Sequence, residues 1–356
     1  MTTTAAEVVI DRNLLSRVIA LINQKGGVGK SSCATNLAVE YARGGFKVLI
    51  LELDPQGNLG KEFGYRPSKV AKGLAADPRD DFGTGLAASL TTGSPLNVPL
   101  TGVRSYANGG QIDVIPAGGA LKPVPVALGV MAVMMKQPYE TKLAQLLMPL
   151  AGQYHLILID CPPSDMVLRT LALEAARYVV APTKSDPGSW EDGLDSLAEE
   201  VKRAQLTNEA LQVLGVLLFD IGASATKLNE QTRSDIAELN AEAFAEARNG
   251  IPPVLKSTIR HVERPAVDAR REGRTMSELS VVDLSGPSVL EILRREKDGE
   301  DVSGLRTQKR SGSTANVAED YSKLAAELLR MIWTIERLKL EQAAQTQEAD
   351  MTAADR

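Results

Sequence analysis

The chain has 356 residues, of which 44% are hydrophobic, enough to fill one large or two smaller cores and to exclude disorder of the whole. Its 40 Lys and Arg stand against 45 Asp and Glu, a formal charge of −5, so affinity for nucleic acid would have to come from a local patch. No apolar run approaches the ~20 residues that span a bilayer, and residues 1–13 lack the basic and apolar parts of a secretory signal, so a cytoplasmic location is expected. Cys33 and Cys161 lack C-x-x-C spacing, which argues against a zinc site or a disulfide framework.

In chain order, residues 1–16 read as an N-terminal arm. The apolar run Val18-Ile19-Ala20-Leu21-Ile22 then leads into Gln24-Lys25-Gly26-Gly27-Val28-Gly29-Lys30-Ser31-Ser32. A strand, a glycine-rich turn and a helix start in that order form a loop whose successive N–H groups converge on phosphate oxygens. Lys25 through Ser32 are the expected nucleotide contacts, with Lys30 a point charge for the β and γ phosphates and the Ser31 hydroxyl placed to ligate Mg²⁺. The general pattern G-x-x-x-x-G-K-[ST] asks for glycine where Gln24 stands, and a second lysine, Lys25, follows it.

Residues 46–54 read as a second buried strand that delivers Asp54 to its carboxyl end, followed by Pro55-Gln56-Gly57-Asn58. Open α/β sheets bind ligands at that edge, so Asp54 should emerge beside the phosphates. Residues 61–111 are less regular, with turn signals at Asp77-Pro78, Gly83, Gly93 and Asn108-Gly109-Gly110 and a short helix near 85–90. The apolar residues 124–135 predict a core or dimer-facing helix, and residues 140–150 an amphipathic one. Residues 154–160 predict a strand buried on both faces with Asp160 at its tip, where a carboxylate holds Mg²⁺ directly or through water. Cys161 reads as a small packed residue, and His155, at the far end of that strand, has no evident role.

Strands at 178–182 and 213–220 alternate with helices near 196–205 and 228–248. The fold class is therefore α/β, a doubly wound and mainly parallel sheet flanked by helices. Between residues 254 and 274 six basic residues, Lys256, Arg260, Arg264, Arg270, Arg271 and Arg274, face three acidic ones, a local excess of three positive charges in an acidic protein. The expected ATPase domain is 17–284. Residues 285–316 read as a charged flexible insert in loop form, and 317–344 as a helix packing on the domain through Tyr321, Leu324, Leu328, Ile332, Ile335 and Leu338. Residues 345–356 read as a disordered tail.

The loop K-G-G-V-G-K-S, the pentapeptide D-P-Q-G-N at 54–58 and the run Asp160-Cys161-Pro162-Pro163-Ser164 together resemble the ParA/MinD family of P-loop ATPases with the deviant Walker A motif. The resemblance covers residues 17–282 and the helix near 318–330. It implies ATP and Mg²⁺ as cofactors, a homodimer formed with ATP, Lys25 reaching the nucleotide of the other subunit, and Asp54 orienting the attacking water. It further implies that Asp160 serves Mg²⁺, that Asp220 frames the adenine, and that the T-I-R…R-x-A…G segment helps form a face for nonspecific DNA. The partners implied are DNA of the nucleoid and a ParB-like centromere-binding protein. Glu52 stands where the family usually has Asp, so its role falls to a longer acid.

The same scaffold serves other tasks, and two of them fit this sequence less well. A MinD-like membrane switch wants a wide apolar face with a basic polar one at its carboxyl end, but Glu327, Glu336 and Glu341 dilute the basic residues here. An iron–sulfur reductase of the nitrogenase type needs two cysteines in loops at the dimer axis, whereas Cys33 and Cys161 sit within the nucleotide motifs. Some 16 residues before the loop are too few for a helix-turn-helix domain, so operator binding is not expected.

Overall fold

A computed structural model describes residues 9–64, 84–98, 100–136, 138–222, 226–244, 250, 252–282, 286–305, 307–312 and 314–354. The turn signals at Asp77-Pro78 and Gly83 lie outside them. Eight strands form one sheet: β1 (Val18–Leu21), β2 (Lys47–Glu52), β3 (Leu100–Ser105), β4 (Gln111–Ile115), β5 (Leu156–Asp160), β6 (Tyr178–Thr183), β7 (Gln212–Ile221) and β8 (Val254–Arg260). Their spatial order is β3-β4-β2-β5-β1-β6-β7-β8, parallel throughout except for the antiparallel edge strand β3. A two-stranded ribbon, β9 (Val281–Val282) with β10 (Arg310–Ser311), lies apart from it.

The period-two alternation of each strand feeds a separate core on either face. Ala20, Leu49, Leu51, Ile157, Ile159, Val179 and Ala181 point into one, with the helices α3 (Thr84–Thr92), α4 (Val124–Met135), α5 (Lys142–Ala151), α6 (Met166–Ala175), α7 (Pro187–Ala204) and α8 (Thr226–Ala243). Ile19, Leu21, Val48, Ile50, Leu156, Leu158, Tyr178 and Val180 point into the other. That face is covered by α1 (Lys30–Arg43), α2 (Leu59–Phe63), α9 (Glu263–Glu272), α10 (Met276–Leu279), α11 (Val289–Lys297) and α12 (Ala315–Ala354). The doubly wound sheet expected from the sequence is thus present.

Two expectations change and a third narrows. Within 285–316, read as a loop, residues 289–297 form helix α11, capped by the Ser288 hydroxyl accepting from the Glu291 N–H. Leu290 and Leu293 are buried, and Arg294 donates to the Gly45 carbonyl, so the charged composition hid a short amphipathic stripe. The helix read as 317–344 runs from Ala315 to Ala354, through most of the tail expected to be disordered. Its stripe is buried at Tyr321, Leu324, Leu328 and Ile332, but Leu338 and Leu340 are exposed, so packing on the domain ends near the helix middle. Finally, of the two readings of α4, core or dimer-facing, the core one is not met, since only Val124 and Leu128 are buried while Val126, Val130, Val133, Met134 and Met135 are exposed; the dimer-facing one stands.

Polar ties fix α12 to the edge strand. Glu327 accepts from the backbone N–H groups of Lys256 and Ser257, both at 2.8 Å, and Asp320 takes two side-chain bonds from Arg260 at 2.7 and 2.8 Å. His155 also acquires a role, its Nδ1 accepting from the Lys47 N–H at 2.8 Å. Among the described residues no helix is long and apolar enough to cross a membrane.

Leu324→Ala should cost about 3 kcal/mol in urea unfolding, because it opens a cavity between α12 and the sheet-side core. Leu340→Ala, on the exposed part of the same helix, should stay within about 0.5 kcal/mol. Equal effects would show that α12 does not pack as described.

Candidate nucleotide site and basic surface

The sheet order sets β5 between β1 and β2, so three motifs distant in sequence end side by side. Leu21 pairs with Asp160 and Asp160 with Glu52 in parallel register, while the Leu53 N–H donates to the Asp160 carbonyl at 2.8 Å. The phosphate loop leaves β1, Asp54 leaves β2 and Asp160 ends β5, all at the carboxyl edge. Within the loop Gly27 has φ 73° and Gly29 φ 90°, left-handed conformations that favour glycine. Gly29 is also the N-cap of α1 and makes no side-chain cap, which leaves the first N–H groups of a 14-residue helix facing the loop. A side chain at Gly29 would collide with the ring of Phe219, a neighbour that the sequence did not announce.

Lys30 is buried, and its ammonium donates to the Lys25 carbonyl at 2.8 Å. Burial pulls its pKa down, against the opposing pull of the Asp160, Cys161 and Asp54 charges. Asp54 closes its own turn, its Oδ1 accepting from the Gln56 N–H at 2.9 Å. Asp160 is fully buried and neither carboxylate oxygen finds a hydrogen-bond partner of normal geometry. Burial pushes its pKa up to about 7, helped by Asp54 and Glu62 and resisted by the Ser31 hydroxyl and Lys30. Two orphaned, buried carboxylate oxygens beside a serine hydroxyl are a hard-oxygen donor set and fit a magnesium ion.

Glu52, the longer acid, is buried and bridges two loops: Oε1 accepts from the Leu59 N–H at 2.9 Å and Oε2 from the Ala117 N–H at 3.0 Å. Its extra methylene is what lets one carboxylate reach both α2 and the loop after β4. Burial pushes its pKa up to about 8, with Asp160 adding to the shift. Glu62 on α2 accepts from the Ser32 hydroxyl and from Arg270, joining the phosphate loop to α9. Cys161 is buried and burial pushes its thiol up, so it is a packed residue rather than a nucleophile.

Asp220 sits near the tip of β7 with φ 65°, bonded by Lys184 at 2.9 Å and by His261 Nδ1 at 2.5 Å. Burial would raise its pKa, but these two partners win and hold it below the ordinary carboxylate range. The phosphate-loop residues, Asp54 and Asp160 are therefore brought together, while Asp220 belongs to a neighbouring cluster beside Phe219.

The basic residues divide. Arg271 and Arg274 are exposed around the end of α9, and Arg270, 52% exposed, pairs with Glu62. Arg274 also donates to the Glu278 carbonyl at 2.7 Å. Lys256 is exposed on β8, Arg260 is committed to Asp320, and the side chain of Arg264 lies outside the described residues. The Arg310 side chain, 9% exposed, pairs with Glu40 at 2.5 Å and belongs to the fold.

A family model described as an AAA domain matches residues 16–213. The chromosome partitioning protein ParA of Caulobacter vibrioides is 34% identical over 223 residues, 62% of this chain and 75% of that protein. The chain belongs to the ParA/MinD family of P-loop ATPases. Two solved structures share its fold. Cobyrinic acid a,c-diamide synthase from Mycobacterium smegmatis, with bound ATP analogue and magnesium, has a TM-score of 0.54 at 24% identity, covering 80% of this chain and 97% of that one. The cell division ATPase MinD of Pyrococcus furiosus has a TM-score of 0.53 at 18% identity, covering 89% and 99%.

Beyond the sequence motifs, a buried pair, Arg169 with Glu200, stands behind the phosphate loop, with side chains 5% and 8% exposed. A cavity of about 1100 Å³ between α5, α6 and α7 shares the Glu200 wall but is lined otherwise by residues remote from the phosphate motifs.

The raised carboxylates fix a pH dependence. A carboxyl whose folded pKa lies above its unfolded value binds more protons folded than unfolded, so stability falls as pH rises from about 4 through about 7 to 8. The nucleotide-free protein should therefore melt at a lower temperature at pH 8 than at pH 5.5, and Asp160→Asn should shrink that difference. An unchanged difference would mean that Asp160 does not ionise in this burial.

Proposed function

We propose that the protein is an ATP-dependent dimerising partition ATPase that binds DNA nonspecifically in its ATP state and is stimulated by a ParB-like partner. The observation that carries the reading is the convergence of Lys30, Ser31, Asp54 and Asp160 at one sheet edge, with a second lysine on the same loop. The C. vibrioides relative is named for chromosome partitioning, and the M. smegmatis fold neighbour holds an ATP analogue and magnesium.

In this reading Lys30 leaves the Lys25 carbonyl for the β and γ phosphates, and the loop N–H groups from Gly26 to Ser32 cradle them. Asp160 and Ser31 would hold Mg²⁺, which when bound offsets phosphate charge. Asp54 orients the attacking water, and Lys25 reaches the nucleotide of the partner subunit, which makes ATP the condition for a homodimer. Asp220 borders the adenine. Lys256, Arg264, Arg270, Arg271 and Arg274 offer DNA contacts, while Arg260, expected among them from the sequence, is neutralised by Asp320. The protein would then act in the cytoplasm on the nucleoid. A membrane-associated positioning ATPase is the second reading, but the apolar stripe of α12 is spent on the domain through Ile332.

Asp54→Ala should bind ATP, dimerise and hold DNA without turnover, whereas Asp54→Ala with Lys25→Gln should bind ATP and stay monomeric in sedimentation. In the Asp54→Ala background Arg271→Glu should dimerise yet lose most DNA affinity. If the dimer neutralises on the order of 4 to 6 phosphates, log affinity against log salt should fall with a slope of roughly −4 to −5. Undiminished DNA binding by the Arg271→Glu protein would move the contact elsewhere, and parental turnover by Asp54→Ala would remove Asp54 from hydrolysis.

A further inference from the structure

We propose that helix α7 is the rail that sets the position of Lys25, and that Gln24, Arg169 and Glu200 are positioning residues for ATP turnover. The inference rests on the ATPase reading of the site. Its starting point is the departure in the loop motif, Gln24 in place of glycine. The Gln24 amide donates to Glu200 Oε1 at 3.0 Å. The same carboxylate receives Arg169 twice, Nε to Oε2 at 3.0 Å and a terminal nitrogen to Oε1 at 2.6 Å. The remaining terminal nitrogen of Arg169 donates to the Pro163 carbonyl at 2.7 Å, in the loop that follows Asp160.

One buried carboxylate therefore holds both loops that flank the phosphates, the first directly and the second through a guanidinium. Seven residues earlier, on the same face of α7, Gly193 lies against Asn23, and a Cβ there would meet Asn23 Oδ1 at 2.9 Å. Asn23 in turn donates to the Pro182 carbonyl at 2.8 Å and accepts from the Lys25 N–H at 2.9 Å. Helix α7 thus touches the two residues immediately before Lys25 at two points two turns apart. Both fix the backbone from which the Lys25 side chain departs.

Energetics favour a positioning role over a stabilising one. A buried ion pair adds little net stability, because desolvation of both charges offsets their attraction. What this pair does supply is direction: the planar guanidinium and the carboxylate spend their remaining hydrogen-bonding capacity on Gln24 and Pro163. Arg169 is also close enough for its charge to lower the Lys30 pKa. Displacing a reacting group by ~1 Å can cost on the order of a hundredfold in rate, so slack in either loop should appear in turnover before it appears in binding.

The test compares ATPase kinetics and melting of the full-length parent with Gln24→Met, Arg169→Met and the double variant. Gln24 is half-buried, and Met keeps its length while removing only the bond to Glu200, so this variant should fold and melt like the parent. Its kcat should fall about tenfold or more with KM for ATP within about twofold, and ATP-driven dimerisation should weaken. Because Gln24 and Arg169 act through one carboxylate, the double variant should lose much less than the product of the single losses. Parental kcat in Gln24→Met, or multiplicative losses in the double variant, would overturn the proposal. Absence of ATP turnover in the parent itself would instead overturn the reading of the site on which it rests.

Discussion

Everything at the site depends on the pairing of three short parallel strands. Because β5 inserts between β1 and β2, the residue at its tip is held in register with Leu21 on one side and Glu52 on the other. Parallel strands offer a single carboxyl edge, and the crossover helices on both faces leave no room for another arrangement of their apolar side chains. A slip of one residue would turn Asp160 toward the opposite face and exchange the two cores, so the same packing that stabilises the sheet also aims the carboxylate.

The edge is also where the fold accepts unfavourable electrostatics. Asp160 and Glu52 are neighbouring buried acids, each pushed up by burial and by charge around it. Glu52 is compensated by two backbone N–H groups, Asp160 by none of normal geometry. Sites that must bind a cation tend to store this kind of frustration, which the ligand relieves. Away from the edge several charges pair within the fold, as in Arg260 with Asp320 and Arg310 with Glu40. The basic excess seen in the sequence is accordingly smaller as an exposed surface and centres on Arg271 and Arg274, with Lys256 on the edge strand.

The sequence shows most clearly what is local and repetitive. The meeting of the glycine-rich loop, Asp54 and Asp160 at one sheet edge was legible because glycines, a lysine and strand-end acids sit at fixed spacing beside apolar runs. Strand β3 was not, because an edge strand with a mostly exposed pattern carries no alternation to read. Helix α11 was hidden by its charges, since two buried leucines suffice to dock nine residues. The roles of Gln24, Glu52, Glu62 and Glu200 were beyond reach for a different reason. Each acts through a partner that is distant in sequence or belongs to another element, such as Glu200 for Gln24 and Arg270 for Glu62, and only the folded chain brings the pairs together.

The most direct measurement is calorimetric titration of ATP into the parent and Asp160→Asn proteins, with and without Mg²⁺. If the register of β2, β5 and β1 builds the metal-nucleotide site, Mg²⁺ should tighten ATP binding to the parent by about tenfold or more. Asp160→Asn should bind ATP about equally with and without the metal. A variant that kept the full Mg²⁺ increment would contradict the placement of Asp160 at the centre of the site.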